Sequence, residues 1–104
     1  MRRGEVWWAE LPLPAGRRPV IVLTRDAVLA SLESVVVTLV TKTIRGLPTE
    51  VSLGRRQGLP TPCVANLDNI LTVSRGCLQR RMGVCSGTKL EELDNAIKCA
   101  LGVK

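Results

Sequence analysis

The chain has 104 residues, the size of one domain spanning residues 1–104, and only two aromatic side chains, Trp7 and Trp8. It has no His, which excludes His-based acid–base chemistry. None of its four Cys forms a C-x-x-C pair, so no zinc motif is recognisable. Fifteen Lys and Arg against nine Asp and Glu give a net charge of +6, which favours a polyanionic partner such as nucleic acid.

The N-terminal half has the composition of short strands separated by turns. Residues 6–11 are β-prone and end at Pro12, and residues 19–24 are apolar on both faces, as in a buried strand. Residues 27–32 are compatible with one or two helical turns. Residues 34–41 are again β-branched and apolar, and they predict a third strand.

The second half continues this pattern and ends differently. Residues 49–53 alternate as in a half-exposed strand, residues 54–62 predict a loop, residues 63–73 predict a strand or strand pair, and residues 79–85 predict a last strand. Residues 88–91 (TKLE) predict a capping box that opens a helix. The helix would end at Gly102. One face of it is apolar at helical spacing, with Leu90, Leu93, Ile97, Ala100 and Leu101.

Five to seven short strands followed by one helix predict a mainly β fold: a small, strongly curved antiparallel sheet or barrel with the helix on one side. No segment resembles a signal peptide or a membrane span, so we expect a cytoplasmic protein with reduced thiols and no membrane partner. Each Cys is then expected to serve as a small apolar core residue.

Several short motifs occur in a fixed order along this framework. They are residues 3–7 (RGEVW), 18–23 (RPVIVL), 40–43 (VTKT) with 47–51 (LPTEV), and 67–70 (LDNI). Together they resemble the MazF/PemK toxin family, and the resemblance extends over nearly the whole chain up to the closing helix.

The resemblance implies an SH3-like barrel of the PemK/CcdB type, a homodimer, and sequence-specific cleavage of single-stranded RNA. It also implies a cognate antitoxin whose acidic tail covers the RNA groove, and no cofactor. Arg18 and Thr41 match the catalytic Arg and Thr of the family, and Asn69 matches a position where the family often has Gln near the RNA. The sequence departs from the family in a short first loop without an acidic residue, and in the shorter side chain of Asn69.

The chemistry of RNA is compatible with this assignment. RNA carries its own nucleophile, the 2′-OH, so cleavage requires alignment and charge stabilisation but neither a metal nor a His. The Arg18 guanidinium is suited to binding two phosphate oxygens, and the Thr41 hydroxyl to bonding the phosphate or orienting the 2′-OH. We predict that further residues bind the RNA: Arg17, Arg25, Lys42, Thr43, Arg45, Asp68 and Asn69.

Each of these residues also has an ordinary structural role open to it. Arg18 would be a solvated strand end, Thr41 a strand former, and the Asp68–Asn69 pair a turn. Trp7 and Trp8 are more typical of a core or interface than of base stacking, but adjacent strand residues point to opposite faces. At least one Trp should therefore face away from the core.

Two other functions remain open from the sequence. One is a non-cutting toxin of the same barrel family that poisons a protein such as DNA gyrase, and that has no need of Arg18 and Thr41. The other is a basic RNA-binding module without catalysis. A thin aliphatic core and an outward-facing Trp also predict a two-fold dimer.

Overall fold

The computed structural model describes residues 1–104 as one mainly β unit with a long C-terminal helix. The strands are β1 (Glu5–Glu10), β2 (Arg17–Val22), β3 (Ser34–Thr41), β4 (Glu50–Leu53), β5 (Cys63–Ser74) and β6 (Leu78–Val84). The helices are the single turn α1 (Asp26–Leu29) and α2 (Thr88–Leu101), with 3-10 turns at Arg55–Gln57 and Arg75–Cys77. The predicted strand number and the single closing helix are confirmed. No helix is long and apolar enough to cross a bilayer.

All six strands form one curled antiparallel sheet in the order β4-β5-β3-β2-β1-β6. Its two faces are both apolar. Val20 and Ile21 are adjacent in β2 and fully buried, yet they belong to separate core clusters. The helix-side cluster packs under α2 and includes Leu93, whose burial contributes about 1.5–3 kcal/mol. The other cluster packs under α1 through Leu29. The predicted burial of both faces of the second strand is confirmed.

The 3-10 turn Arg55–Gln57 brings the β4 end of the sheet against β6, and this contact curls the sheet into a half-barrel. Two glycines make the close approach possible. A Cβ on Gly58 would lie 2.1 Å from the carbonyl oxygen of Met82, and a Cβ on Gly83 would lie 2.2 Å from that of Gln57. Gly58 also has a φ of +87°, which other residues rarely adopt.

A bulge interrupts the pairing of β3 with β5. Thr38 pairs with Ile70 but Leu39 pairs with Asn66, so residues 67–69 have no partner in β3. The Thr38 hydroxyl donates a 2.7 Å hydrogen bond to the carbonyl oxygen of Asn66 and closes the gap from within the sheet. The bulge changes the direction of the strand and brings Asn69 to the end of the sheet that carries Arg18.

The predicted details of α2 are partly wrong. The residue that caps the helix is Gly87, and no side chain caps it, because the helix begins one residue earlier than the capping box requires. Thr88 is therefore already helical. Leu101 is 62% exposed, while Ala96 is buried and belongs to the apolar face with Leu93. The predicted stop at Gly102, which adopts the left-handed conformation, is correct.

The prediction that every Cys is a core residue is correct for two of the four. Cys63 and Cys85 are buried, and burial raises the pKa of the Cys85 thiol to about 11. Cys77 is only partly buried, and Cys99 is exposed because it lies on the outer face of α2. All four thiols are free.

Candidate active site

Arg18 and Thr41 are brought together by the pairing of β2 with β3. Val20 pairs with Leu39 in this antiparallel ladder, and the same register continued by two residues sets Arg18 beside Thr41. Directly paired residues of antiparallel strands project from the same face. The two side chains accordingly line two of the same cavities.

The Arg18 guanidinium is fixed at one point and free elsewhere. Its Nε donates a 2.9 Å hydrogen bond to the carbonyl oxygen of Ala15 in the loop between β1 and β2. Its two terminal amino groups make no hydrogen bond or ion pair within the protein. Arg18 therefore presents an oriented cation with unused donors, which suits a phosphate group.

The Thr41 hydroxyl is oriented by the start of the next loop. Its Oγ accepts a 3.1 Å hydrogen bond from the backbone N–H of Thr43. Because this bond uses a lone pair of the oxygen, the hydroxyl proton stays available for donation to a substrate oxygen.

Three cavities meet at Arg18. The central cavity is small and polar, about 140 Å³, and both Thr41 and Arg45 line it together with Arg18. The Trp8 cavity, about 470 Å³, lies on one side and contains Trp8, Thr41 and Met82. The Leu13 cavity, about 510 Å³, lies under the β1–β2 loop. A small polar space that borders two larger, more apolar ones is therefore built around one guanidinium.

Most of the predicted RNA-binding residues gather at these cavities. Those that line at least one of them are Arg17, Lys42, Thr43, Arg45 and Asn69. The Glu50 carboxylate fixes the β3–β4 loop that carries three of them, because it accepts hydrogen bonds from the N–H groups of Arg45 (3.0 Å) and Gly46 (2.8 Å).

Arg17 is not as free as Arg18. It forms an ion pair of 3.3 Å with Glu10, which also accepts a 3.0 Å hydrogen bond from Gln79. The Gln79 hydrogen bond and the Arg17 charge hold the pKa of Glu10 below its ordinary value. The Arg17 charge is thus partly neutralised beside the site.

Two predicted residues lie elsewhere. Arg25 is exposed at the start of α1, beyond the opposite end of β2 from Arg18, and lines none of the cavities. The part of β2 from Arg18 to Val22 alone spans about 13 Å, at about 3.3 Å per residue, and Arg25 lies beyond its end. Asp68 lies in the bulge, where its carboxylate accepts a 2.7 Å hydrogen bond from the Thr49 hydroxyl and points outside the cavities. The structure does not bring either residue to the candidate site.

The structure adds residues that the sequence did not assign to the site. Trp8 lines the cavity beside Arg18, while Trp7 packs against the second core cluster and donates its indole N–H to Glu5. The prediction that one Trp faces away from the core is confirmed. Asn66 and Glu50 line the central cavity. The alternation of β1 was a signal for Trp8. Asn66 was marked only as one of three polar residues, with Asp68 and Asn69, in the otherwise apolar segment 63–73.

Cys63 lines the Trp8 cavity, where burial raises the pKa of its thiol against the opposing charge of Lys42. The thiol is therefore protonated at neutral pH.

No three His, Cys, Asp or Glu side chains gather at one point. The largest cavity, about 570 Å³, lies apart from the candidate site, between β4 and the start of α2. There Lys89 already donates to the Ser52 carbonyl and pairs with Glu92.

The fold and the site define a class of small, basic, mainly β proteins: a half-barrel with a C-terminal helix and an oriented Arg and Thr at one polar cavity. The family described as PemK-like, MazF-like toxin of type II toxin–antitoxin systems matches residues 2–101. The chain belongs to this family, and the resemblance identified from its motifs is confirmed.

The similar proteins are matched over nearly their full length. A probable endoribonuclease MazF2 of Mycobacterium tuberculosis is 42% identical over 103 residues, covering 98% of this chain and 99% of the relative. A probable endoribonuclease MazF5 of the same species is 39% identical, covering 95% and 91%.

Solved structures share the fold. The Mycobacterium tuberculosis toxin MazF-mt6 has a TM-score of 0.89 at 34% identity, covering 96% of this chain and 98% of that one. A mycobacterial endoribonuclease in complex with its cognate antitoxin has a TM-score of 0.87 at 29% identity, covering 100% and 97%. The predicted mainly β fold with a C-terminal helix is confirmed by these likenesses.

Proposed function

We propose that this protein is an endoribonuclease toxin that cleaves single-stranded RNA at preferred sequences. The observation that carries the proposal is the Arg18 guanidinium, anchored through Nε and open at both terminal amino groups, beside the Thr41 hydroxyl, which accepts the Thr43 N–H and keeps its own proton for a substrate. The names of the matched relatives, endoribonucleases MazF2 and MazF5, support the same activity. RNA is found in the cytoplasm, and we propose that the toxin acts there.

The reaction we propose uses the 2′-OH of the RNA as nucleophile and needs no metal. The 2′ oxygen forms a bond to the adjacent phosphorus while the bond from phosphorus to the 5′ oxygen breaks. The 2′-OH loses its proton to solvent, and the leaving 5′ oxygen gains a proton from solvent. Arg18 stabilises the charge on the phosphate oxygens as the phosphorus becomes five-coordinate, and Thr41 donates a hydrogen bond to the same group.

Arg18 acts here as a source of positive charge. A guanidinium is a poor proton acceptor because it stays protonated at every pH at which proteins work. The chain has no His to transfer the protons, so alignment and charge stabilisation supply the rate enhancement.

The test is a cleavage assay on a long single-stranded RNA of known sequence in the presence of EDTA. We expect discrete fragments, with a 2′,3′-cyclic phosphate on each upstream end and a free 5′-OH on each downstream end. An oligonucleotide with a single 2′-deoxy substitution before the mapped cut should bind but stay intact. Cleavage of that oligonucleotide at the normal rate would contradict 2′-OH attack.

The same assay separates the two other functions. A toxin that poisons a protein target, or an RNA-binding module, would leave the RNA intact. A toxin that poisons a protein has no need of an Arg with free donors beside an oriented Thr. An RNA-binding module would use such an Arg to hold a phosphate, so binding without fragments would identify it.

We also propose that an acidic antitoxin tail binds the Arg18 side of the molecule and competes with RNA. A cation-lined cavity that accepts phosphates also attracts carboxylates, and an initially disordered acidic tail can order on it. The matched structure of a mycobacterial endoribonuclease with its cognate antitoxin supports a partner of this kind. A labelled RNA should be displaced by the antitoxin, and antitoxin affinity should fall with salt. Simultaneous binding of both would argue against a shared site.

We propose that the protein is a homodimer. Its core is divided into two thin aliphatic clusters, and apolar side chains such as Leu13, at 88% exposure, are left at the surface. Light scattering at micromolar concentration should give twice the mass of the chain, and a monomer mass would count against the proposal.

A further inference from the structure

We propose that Glu50 is a positioning residue of the cleavage site: its carboxylate shapes the β3–β4 loop, residues 42–49, and thereby orients the Thr41 hydroxyl. Glu50 belongs to the motif of residues 47–51, which gave it no role of its own. The inference rests on the proposed endoribonuclease function and adds a residue that acts through Thr41 without touching the RNA.

The sheet sets Glu50 at the wall of the central cavity. Glu50 is the first residue of β4 and pairs with Asn66 of β5, which pairs in turn with Leu39 of β3. Directly paired residues project from the same face, and Thr41 follows Leu39 by two residues on that face. Glu50, Asn66 and Thr41 accordingly line the central cavity together. The backbone of Glu50 is therefore held by the sheet and not by the loop before it.

Three successive backbone N–H groups of the β3–β4 loop converge on the Glu50 carboxylate. Its Oε1 accepts hydrogen bonds from the N–H groups of Arg45 (3.0 Å), Gly46 (2.8 Å) and Leu47 (3.3 Å), and its Oε2 accepts a second contact from Arg45 (3.3 Å). A carboxylate has about four lone-pair sites, and these contacts occupy them. Glu50 is therefore poorly placed to accept the proton of a 2′-OH, and its geometry fits a positioning role.

The Glu50 carboxylate is what holds the middle of this loop. Residues 42–48 are all exposed, and every hydrogen bond that they make within the protein is with Thr41 or Glu50. With residues 45–47 fixed, the Thr43 N–H stays beside the Thr41 hydroxyl that it orients. Without the carboxylate, the whole segment 42–48 is free to move, and its conformational entropy opposes the bond between Thr43 and Thr41.

The charge of Glu50 has the opposite effect on binding. A carboxylate on the wall of a cavity that holds a phosphate repels it, although Arg18 and Arg45 line the same cavity. Glu50 should therefore weaken RNA binding while it speeds the reaction. This pair of effects distinguishes a positioning residue from one that only supports the fold, because unfolding part of the protein cannot tighten binding.

The test compares Glu50→Ala, which removes the acceptor, with Glu50→Gln, which keeps an oxygen at the same length and removes the charge. The matched control is Glu33→Ala. Glu33 is exposed and lies just before β3, at the opposite end of that strand from Thr41. The value of kcat is measured on one mapped RNA, and affinity on the same oligonucleotide with a 2′-deoxy nucleotide before the cut.

Amide hydrogen exchange measures directly whether Glu50 holds the loop. The amides of residues 45–47 should exchange about tenfold faster or more in Glu50→Ala, the change expected on losing a hydrogen bond to a charged group. Amides of β3 and β5 should keep their wild-type protection, which establishes that the variant is folded. Unchanged exchange at residues 45–47 would overturn the proposal whatever the cleavage rates.

Glu50→Ala should lower kcat by about tenfold to a hundredfold, as expected when a reacting group is misplaced. Glu50→Gln should lose less, and should bind the 2′-deoxy oligonucleotide at least about twofold more tightly, with the gain shrinking as salt rises. In a Thr41→Val background, Glu50→Ala should cost only about twofold to threefold, because the hydroxyl that it orients is already absent. Glu33→Ala should follow the wild type in every measurement.

The outcomes separate the two proposals. If the wild type cuts RNA and Glu50→Ala cuts it equally fast, or if the losses in Glu50→Ala and Thr41→Val multiply, Glu50 does not act through Thr41 and the assignment is wrong. A parallel fall of kcat and affinity in Glu50→Gln would also overturn it, because that result indicates general damage to the site. If the wild type cuts no RNA at all, the endoribonuclease function itself fails, while hydrogen exchange still decides whether Glu50 holds the loop.

Discussion

The Nε of Arg18 donates a 2.9 Å hydrogen bond to the carbonyl oxygen of Ala15, three residues earlier in the chain. This bond orients the guanidinium and ties it to the β1–β2 loop. One of the five donors of Arg18 is used inside the protein, and those on the two terminal amino groups face the cavities. The loop and the proposed catalytic cation are thus one structural unit.

Arg18→Ala should lower RNA cleavage by about a hundredfold or more, as expected when one preorganised charge-stabilising donor is removed. Arg18→Lys should recover only part of the activity, because an ammonium group keeps the charge but cannot bind two oxygens in parallel. Initial rates on one mapped RNA substrate provide the measurement. Thermal unfolding should be little changed, because Arg18 lies at the start of β2.

The matched control for Arg18 is Arg25→Ala, which removes the same charge from an exposed residue outside the cavities. Its cleavage rate should stay within a few-fold of the wild type at moderate salt. Equal losses in both variants would mean that Arg18 contributes only general positive potential, and would contradict its assignment to the reacting phosphate.

Thr41 can be tested by two nearly isosteric substitutions. Thr41→Val removes the hydroxyl that accepts the Thr43 N–H and that we expect to donate to the phosphate, so cleavage should fall by about a hundredfold. Thr41→Ser keeps both hydrogen bonds and should stay within about tenfold of the wild type. Rates are measured as for Arg18. If the Val and Ser variants are equally active, the hydroxyl has no part in the reaction.

The fold was largely predictable because it depends on local patterns. The β-branched run of residues 34–41 coincides with β3, and the helical spacing of Leu90, Leu93 and Ile97 marks the face of α2 that packs on the sheet. Gly102 ended the helix as expected. The prediction was wrong at both ends of α2. The helix begins at Thr88 with Gly87 as its N-cap residue, so the Thr88 side chain does not cap it. At the other end, Leu101 lies past the turn that contacts the sheet.

The candidate site was predictable only through resemblance to a family. Arg18 and Thr41 are 23 residues apart in sequence, and they line the same cavities only because of the register of β2 with β3, which no local signal specifies. Asp68 and Asn69 are neighbours, but the bulge points them to different surroundings. Arg25 was included for its positive charge alone, because the sequence does not show which end of a strand carries the cavities.

Glu5 should make stability depend on pH. Burial alone would raise the pKa of Glu5. Hydrogen bonds to its carboxylate from the Trp7 indole (3.0 Å), the Arg2 N–H (2.8 Å) and Arg81 Nε (2.9 Å) lower it below its ordinary 4.5 instead. The unfolded state then binds more protons than the folded state near that pH. The contribution of Glu5 is complete above about pH 4.5 and is lost as pH falls through the lower folded value.

Urea denaturation of wild type and Glu5→Gln at pH 7 and pH 3.5 measures this effect. We expect the variant to be less stable by about 1.5–3 kcal/mol at pH 7, the usual size of a hydrogen bond to a charged group, and the difference to shrink at pH 3.5. Glu33→Gln is the control, because its carboxylate is exposed and lies outside the cluster of groups that bind the Glu5 carboxylate. A Glu5→Gln difference that does not change with pH would show that the carboxylate charge is not what stabilises the fold.

The closure of the half-barrel can be tested with two glycines. Neither Gly83 nor Gly54 has a positive φ, so Ala is compatible with the backbone at both. A Cβ on Gly83 would lie 2.2 Å from the Gln57 carbonyl oxygen, whereas a Cβ on Gly54 would meet nothing within 4 Å.

Gly83→Ala must push the 3-10 turn off β6, and we expect it to lower the free energy of unfolding by about 1–3 kcal/mol or more. Gly54→Ala should be neutral or slightly stabilising, because Ala has less freedom than Gly in the unfolded chain. Chemical denaturation of both variants gives the two values, and equal stabilities would mean that the turn does not pack on β6 in solution. Because Met82 lines the Trp8 cavity next to this contact, Gly83→Ala should also reduce RNA cleavage while Gly54→Ala does not.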